Sequence, residues 1–313
     1  MRVIAVSEYG ATPSVMDLPL PEPGPGEVLV KLVAAGMNPV DWKIADGMLK
    51  DSVDAQFPLV LGADGAGVVE AVGPDVGRFA AGDQVFGQFR DLTRGCGSYA
   101  EYAVVDQDAP LARMPQGLIY TQAAGVPMAA MTGYTMVREA GLDVGKTVLI
   151  VGATGGVGQF AVQFAADVGA HVIATAHPDM DAEMRRLGAA ETVDYGRADI
   201  GEQVLANHDG IDAIIDLVSG PPEVDALTGL LRPGGAYVSS INAVNPDKMA
   251  SQQLTGVNIY TQGTPELLAT IADMLDASRI RVAVAREVPL EDAPAAVAAG
   301  RQGGARGKTV IRI

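Results

Sequence analysis

The order of apolar and polar positions divides the chain into two styles. Up to about Leu118, apolar runs are short: Val28–Val33, Leu59–Leu61, Gly67–Val72 and Gln84–Phe86. Turn residues separate them, as in Pro23-Gly24-Pro25-Gly26, Gly73-Pro74 and Gly82-Asp83. Many short strands with Gly/Pro turns predict a barrel or sandwich. Thr121–Ala140 is rich in Ala, Met and Gly and reads as a buried helix. From Lys146 onward the period changes. Apolar strands at Thr147–Val151, His171–Thr175, Ala213–Val218 and Gly235–Ser240 alternate with helical patterns such as Gln159–Val168 and Met180–Leu187. Uninterrupted apolar strands between helices predict a parallel sheet covered on both faces. After Thr264 come two helical patterns, Glu266–Ala277 and Pro294–Gly300, and a closing strand, Gly307–Ile313. That strand is expected to return to the sheet of the first domain. Residues 1–118 and 264–313 would then form one discontinuous domain around a dinucleotide-binding domain at 119–263.

Length and charge narrow the function classes. A chain of 313 residues, 48% hydrophobic, is expected to form two domains rather than one core. A net charge of −16 argues against nucleic-acid partners and anionic membrane surfaces. No apolar run approaches the roughly 18 residues of a membrane span. Met1–Val6 reads as a short strand rather than the apolar segment of a signal peptide. Cys96 is the only cysteine, so no internal disulfide forms, and a cytoplasmic location is expected. The three histidines, His171, His177 and His208, show no metal-ligand spacing, and no metal is expected. His171 reads as structural, His208 as a turn residue and Cys96 as an idle surface thiol.

The clearest chemical signal is Gly152-Ala153-Thr154-Gly155-Gly156-Val157-Gly158. The strand Thr147–Val151 feeds it and a helix leaves it. The spacing is G-x-x-G-x-x-G, and the physical need is that of a dinucleotide turn: a tight bend, close approach of backbone to pyrophosphate, and a helix set near the strand. The pyrophosphate would meet the free N–H groups at the helix N-terminus. The second strand ends at Thr175-Ala176-His177 with no acid to hold a ribose 2′-hydroxyl. That points to NADPH, with His177, Arg185, Arg186, Tyr195 and Arg197 as candidate partners of a 2′-phosphate. The arginines also read as a solvated helix face.

Further short motifs accompany the turn: Ala35–Lys43, Leu61–Val69, Gly97–Tyr102, Met131–Tyr134, Val193–Tyr195, Asp216–Gly220, Leu231–Gly235 and Arg306–Val310. In this order the chain resembles the medium-chain dehydrogenase/reductase superfamily, in its quinone oxidoreductase and alkenal/enone reductase branch. The resemblance implies an α/β fold: a Rossmann doubly wound parallel sheet plus a GroES-like β-barrel catalytic domain. It also implies that Asn38, Thr132, Gly152, Thr154, Gly155, Gly156, Val157, Ala176, His177, Tyr195, Val218 and Lys308 line the cofactor. Zinc-dependent members carry a Cys after the first glycine and a His-Glu pair after the second. Here Met37-Asn38 follows Gly36, and Ala63-Asp64 follows Gly62. A zinc-free reductase is therefore expected.

Asn38-Pro39-Val40-Asp41 reads equally as a helix cap, with Pro at the first position and an acid near the positive helix end. The resemblance adds that Asn38 faces the nicotinamide or the substrate oxygen, and that Lys43 reaches toward the substrate. Lys43 would polarise that oxygen as charge develops on it, although an exposed helical lysine is the plain alternative. Thr132 is read against a helix-interior threonine bonded to its own backbone. The expected reaction is NADPH-dependent reduction of quinones or α,β-unsaturated carbonyls. An enoyl thioester is a second substrate class, disfavoured because Trp42–Leu49 lacks a tyrosine proton donor. Cofactor binding without turnover is a third reading. Relatives dimerise through the edge of the Rossmann sheet, so a homodimer through Gly256–Tyr260 is expected.

Overall fold

In the computed structural model, which describes residues 1–313, the early apolar runs lengthen into strands that pair across the sequence. The elements in chain order are β1 (Arg2–Val6), β2 (Ser14–Asp17), β3 (Glu27–Gly36), α1 (Pro39–Ala45), β4 (Leu59–Val60), β5 (Asp64–Val72), β6 (Gln84–Gln88), β7 (Tyr102–Asp106), β8 (Leu111–Arg113), α2 (Tyr120–Ala124) and α3 (Pro127–Glu139). The strand–helix alternation follows as β9 (Thr147–Val151), α4 (Gly156–Asp167), β10 (His171–Thr175), α5 (Asp181–Arg186), β11 (Glu191–Val193), α6 (Ile200–Leu205), β12 (Ile211–Asp216), α7 (Pro221–Thr228), β13 (Leu231–Ser239), α8 (Pro246–Ser251) and β14 (Thr255–Asn258). The chain closes with α9 (Pro265–Asp276), β15 (Val284–Pro289), α10 (Ala293–Gly300) and β16 (Lys308–Arg312).

Two units result: Met1–Met131 with Gly263–Ile313, and Thr132–Gln262. In the first, the larger sheet runs β15-β16-β3-β5-β6-β8, with β7 also on β3. The closing strand β16 pairs antiparallel with β3, Ile311 opposite Ala35. Inward residues of β3 alternate along the pleat, and Val28, Val30 and Leu32 pack with Val69, Phe79, Val85 and Phe89. The division falls after Met131, whereas the sequence reading placed it after residue 118. The reason is α2, which lies on β3 and β5. Its Ala124 carbonyl comes so near Gly36 that a Cβ there would stand 2.1 Å from it. The single helix expected over Thr121–Ala140 is two helices, because Pro127 lacks the N–H needed to continue one and instead starts α3.

The second unit is one six-stranded sheet, order β11-β10-β9-β12-β13-β14, parallel at every pairing. All five residues of β9 are buried, as a strand covered on both faces requires. The strand order reverses at β9, where β10 lies on one side and β12 on the other. In an open α/β sheet, ligands bind at that switch point, beyond the carboxyl ends of the strands. No helix is long and apolar enough to cross a membrane.

Candidate active site

The glycine turn lies at the carboxyl end of β9. Gly152 takes φ +82°, a conformation only glycine adopts freely, and its N–H donates to Thr175 Oγ1 at 3.0 Å, tying the ends of β9 and β10 together. Gly155 is the N-cap of α4 and has no side chain to cap with, nor does the first turn carry an acid. A Cβ at Gly158 would stand 2.3 Å from Gly152 O and 2.6 Å from Ala153 Cα, so only glycine lets α4 sit against the turn. Thr154 O accepts from Gln159 Nε2 at 3.0 Å, fixing the loop on the helix. The N-terminal N–H groups of α4 and the helix dipole thus present an anion site. Gly156 and Val157 lie in that first turn, half-buried.

The walls of this end come from β12, β10 and β11. Asp216 is fully buried and holds the loop after β12 with one oxygen, accepting from Val218 N at 3.0 Å and Ser219 N at 2.9 Å. Its other oxygen accepts from Tyr237 Oη at 2.5 Å. Burial, then the Asp216 charge, pushes the Tyr237 phenol far up, so it stays a donor. Val218 is left 61% exposed beside the turn, its Cγ1 3.0 Å from where a Gly152 Cβ would be. Ala176 is buried at the end of β10. His177 follows, its Nδ1 3.2 Å from Asp194 Oδ1 and its ring 4.2 Å from that of Tyr195. Tyr195 is 48% exposed. Arg185 and Arg186 are paired along α5 with Asp181 and Glu183, the solvated-face reading. Thr132 is half-buried in α3.

A second cluster lies in the first unit. Asn38 precedes α1 and is 4% exposed. The helix starts as expected, with Pro39 first and the Asp41 carboxylate reaching back to the Asn38 N–H at 2.8 Å. The Asn38 amide, however, is not spent on capping. Its Nδ2 donates to Asp64 Oδ2 at 2.9 Å and its Oδ1 accepts from Lys308 Nζ at 2.7 Å. A carboxylate on one side and an ammonium on the other fix which way the amide points. Lys308 also donates to Met37 O at 2.7 Å, and Asp64 accepts from Met128 N at 3.0 Å.

The four ionisable groups here, Asp41, Asp64, Tyr99 and Lys308, are all buried. Burial pushes Asp64 up, opposed by the Lys308 charge and the Asn38 amide. Burial pulls Lys308 down, opposed by Asp64 and Asp41. Asp41 is pushed up to about 6 by burial, against the Asn38 N–H and the Tyr99 hydroxyl at 2.8 Å. The other Asp41 oxygen is buried with no partner. Tyr99 rises well above the usual phenol for the same reason. Asp64 and Asp216 carry much of the geometry, yet the sequence reading assigned neither a role. The available signal was a lone acid in each apolar stretch, Leu61–Val69 and Ala213–Val218.

Lys43 does not join this cluster; it lies on the exposed face of α1. Cys96 is half-buried, and burial raises its thiol, the opposite of a reactive thiolate.

The alcohol dehydrogenase GroES-like domain profile matches residues 24–116, and the zinc-binding dehydrogenase profile matches residues 187–311. The chain is 33% identical to a mitochondrial NAD(P)H oxidoreductase of Mus musculus, across 92% of this chain and 82% of that one. It is 29% identical to a 2-methylene-furan-3-one reductase of Solanum lycopersicum, across 99% of this chain and 79% of the other. The quinone oxidoreductase of Coxiella burnetii superposes with a TM-score of 0.88 at 29% identity, covering 100% of this chain and 99% of that one. Zinc does not fit the residues around Asn38. No thiol or imidazole is among them, and the Lys308 ammonium already satisfies Met37 O and Asn38 Oδ1.

Proposed function

This chain belongs to the quinone oxidoreductase branch of the medium-chain dehydrogenase/reductase superfamily, and from that premise we propose that it reduces quinones or α,β-unsaturated carbonyls with NADPH, without zinc. The observation that carries the proposal is the glycine turn at the sheet's switch point, backed by the uncapped N-terminus of α4 and closed by Gly158. In this reading Gly152, Thr154, Gly155, Gly156 and Val157 hold the pyrophosphate. Val218, on its Asp216-pinned loop, and Thr132 border the nicotinamide. Ala176, His177 and Tyr195 take the adenosine end. His177, whose Nδ1 lies 3.2 Å from Asp194 Oδ1, is assigned to the 2′-phosphate through Nε2. The end of β10 carries no acid, which supports NADPH over NADH.

When bound, the reduced nicotinamide supplies the hydride. What the chain supplies is orientation and charge. Asn38 is assigned to the nicotinamide or substrate oxygen. Asp64 and Lys308 hold its amide in one orientation, so no reorganisation is needed when charge develops. Lys308 belongs to the cofactor set through Asn38. Lys43, exposed on α1, is assigned as the cation for the substrate oxygen. Water can deliver the proton.

The remaining assignments follow the same premise. The murine relative is mitochondrial by name; a cytoplasmic location for this chain rests on its single cysteine. A homodimer is proposed through β14, the edge strand of the parallel sheet. The test of substrate class is oxidation of NADPH at 340 nm with 1,4-benzoquinone, a simple enone and crotonyl-CoA in parallel. Turnover of quinone or enone is expected. Turnover of the thioester alone would move the protein to lipid or polyketide reduction.

A further inference from the structure

The fold brings together His171 and His208, which the sequence alone marks only as a structural and a turn residue. His171 begins β10, Glu191 begins the neighbouring edge strand β11, and His208 follows α6. His171 Nε2 lies 2.6 Å and His208 Nε2 2.9 Å from the same oxygen, Glu191 Oε1. The potential ligand atoms all lie within 4.8 Å of one another. Asn207 Nδ2 approaches the other carboxylate oxygen at 3.4 Å, which helps orient it. The rings stand 5.5 Å apart, tilted by 59°, and all three side chains are partly exposed to water.

Two imidazole nitrogens aimed at one carboxylate oxygen mark a place where one divalent cation can sit among all three. We propose that His171, Glu191 and His208 form a binding site for a single borderline divalent cation, Zn²⁺ foremost, that clamps β10, β11 and the segment after α6 at the sheet edge. Imidazole and carboxylate donors suit Zn²⁺, Cu²⁺ and Ni²⁺, whereas Mg²⁺ and Ca²⁺ prefer oxygen alone. Zinc ligands at about 2.0–2.2 Å stand about 3.3 Å apart in a tetrahedron. The His171–Glu191 separation of 2.6 Å and the His208–Glu191 separation of 2.9 Å need to open by about 0.7 and 0.4 Å, and the two imidazole nitrogens, within 4.8 Å of each other, to close by at most about 1.5 Å, within reach of partly exposed side chains. Water completes the shell. The site lies at the amino end of β10, and the glycine turn at the carboxyl ends of the strands, roughly 13 Å along a five-residue strand. It is therefore a structural site, and its readout is binding and stability.

The experiment uses the untagged full chain, stripped with EDTA and desalted. It is titrated calorimetrically with ZnCl₂ and melted with and without the metal. One equivalent of Zn²⁺ is expected to bind and raise the melting temperature, with no effect of MgCl₂. His171→Gln, His208→Gln and Glu191→Gln are each expected to weaken binding at least about tenfold. Their metal-free melts should stay near wild type, because glutamine keeps a polar partner at each position. Binding that fails to saturate, or that is equally tight in the two histidine variants, would overturn the site. It would leave the triad as a hydrogen-bonded clamp.

Discussion

Asp41 shows what burial does to a single carboxyl. It is 4% exposed, and one of its oxygens has no partner. Its folded-state value of about 6 lies above the ordinary 3.8, so the folded protein holds this proton more tightly than the unfolded chain. The stabilisation linked to that proton is complete below about pH 4 and is lost as the pH rises through about 6, a change of about 3 kcal/mol. Asp41→Asn removes the titration and keeps an acceptor for Asn38 N–H and Tyr99. Urea unfolding at pH 4.5 and 7.5 should therefore show wild type losing stability relative to the variant; a pH-independent difference would contradict this. His177 provides the second residue-scale prediction. Its replacement by Ala should weaken NADPH about tenfold more than NADH, roughly 1.4 kcal/mol. Cofactor titration by fluorescence measures it, and equal losses would remove His177 from the 2′-phosphate site.

The turn between β9 and α4 depends on a contact between elements. Thr175 is 2% exposed, and its hydroxyl accepts the Gly152 N–H. Thr175→Val keeps the shape and strands that N–H, a cost of about 1–3 kcal/mol. The variant is expected to unfold at lower urea and to bind NADPH more weakly; unchanged affinity would show that the tie does not shape the turn. The turn itself was legible in the sequence because all its parts are local, and β9 and β10 were read to the residue from their apolar runs. β11 was missed because Glu191-Thr192-Val193 is short and largely polar, and is a strand only through its pairing with β10. β7, β8 and β15 have no counterpart in the sequence reading either, β7 despite its buried apolar centre Ala103-Val104-Val105. The resemblance named Asn38 and Lys308 but not the contact between them, and Asp64 had no assigned role. Asp64 lies 26 residues away and Lys308 270, and no local pattern links them. His171, Glu191 and His208 escaped for the same reason.

At the scale of the whole molecule, the chain forms two units. The first is closed by β16 from the far end of the sequence, which carries Lys308 to Asn38. The second is a parallel sheet with an open edge at β14, followed by Tyr260, 78% exposed. Gel filtration with light scattering is expected to give a dimer, and a monomer at all concentrations would contradict the edge-strand interface. The proposed reaction is hydride transfer from NADPH to an electron-poor carbon without zinc. Its most direct test is to incubate the EDTA-treated protein with an enone and NADPH deuterated at C4, each face in turn. A saturated product carrying one deuterium at the β-carbon is expected from one of the two labelled faces. Product unlabelled with both, or no product with any enone or quinone, would contradict it.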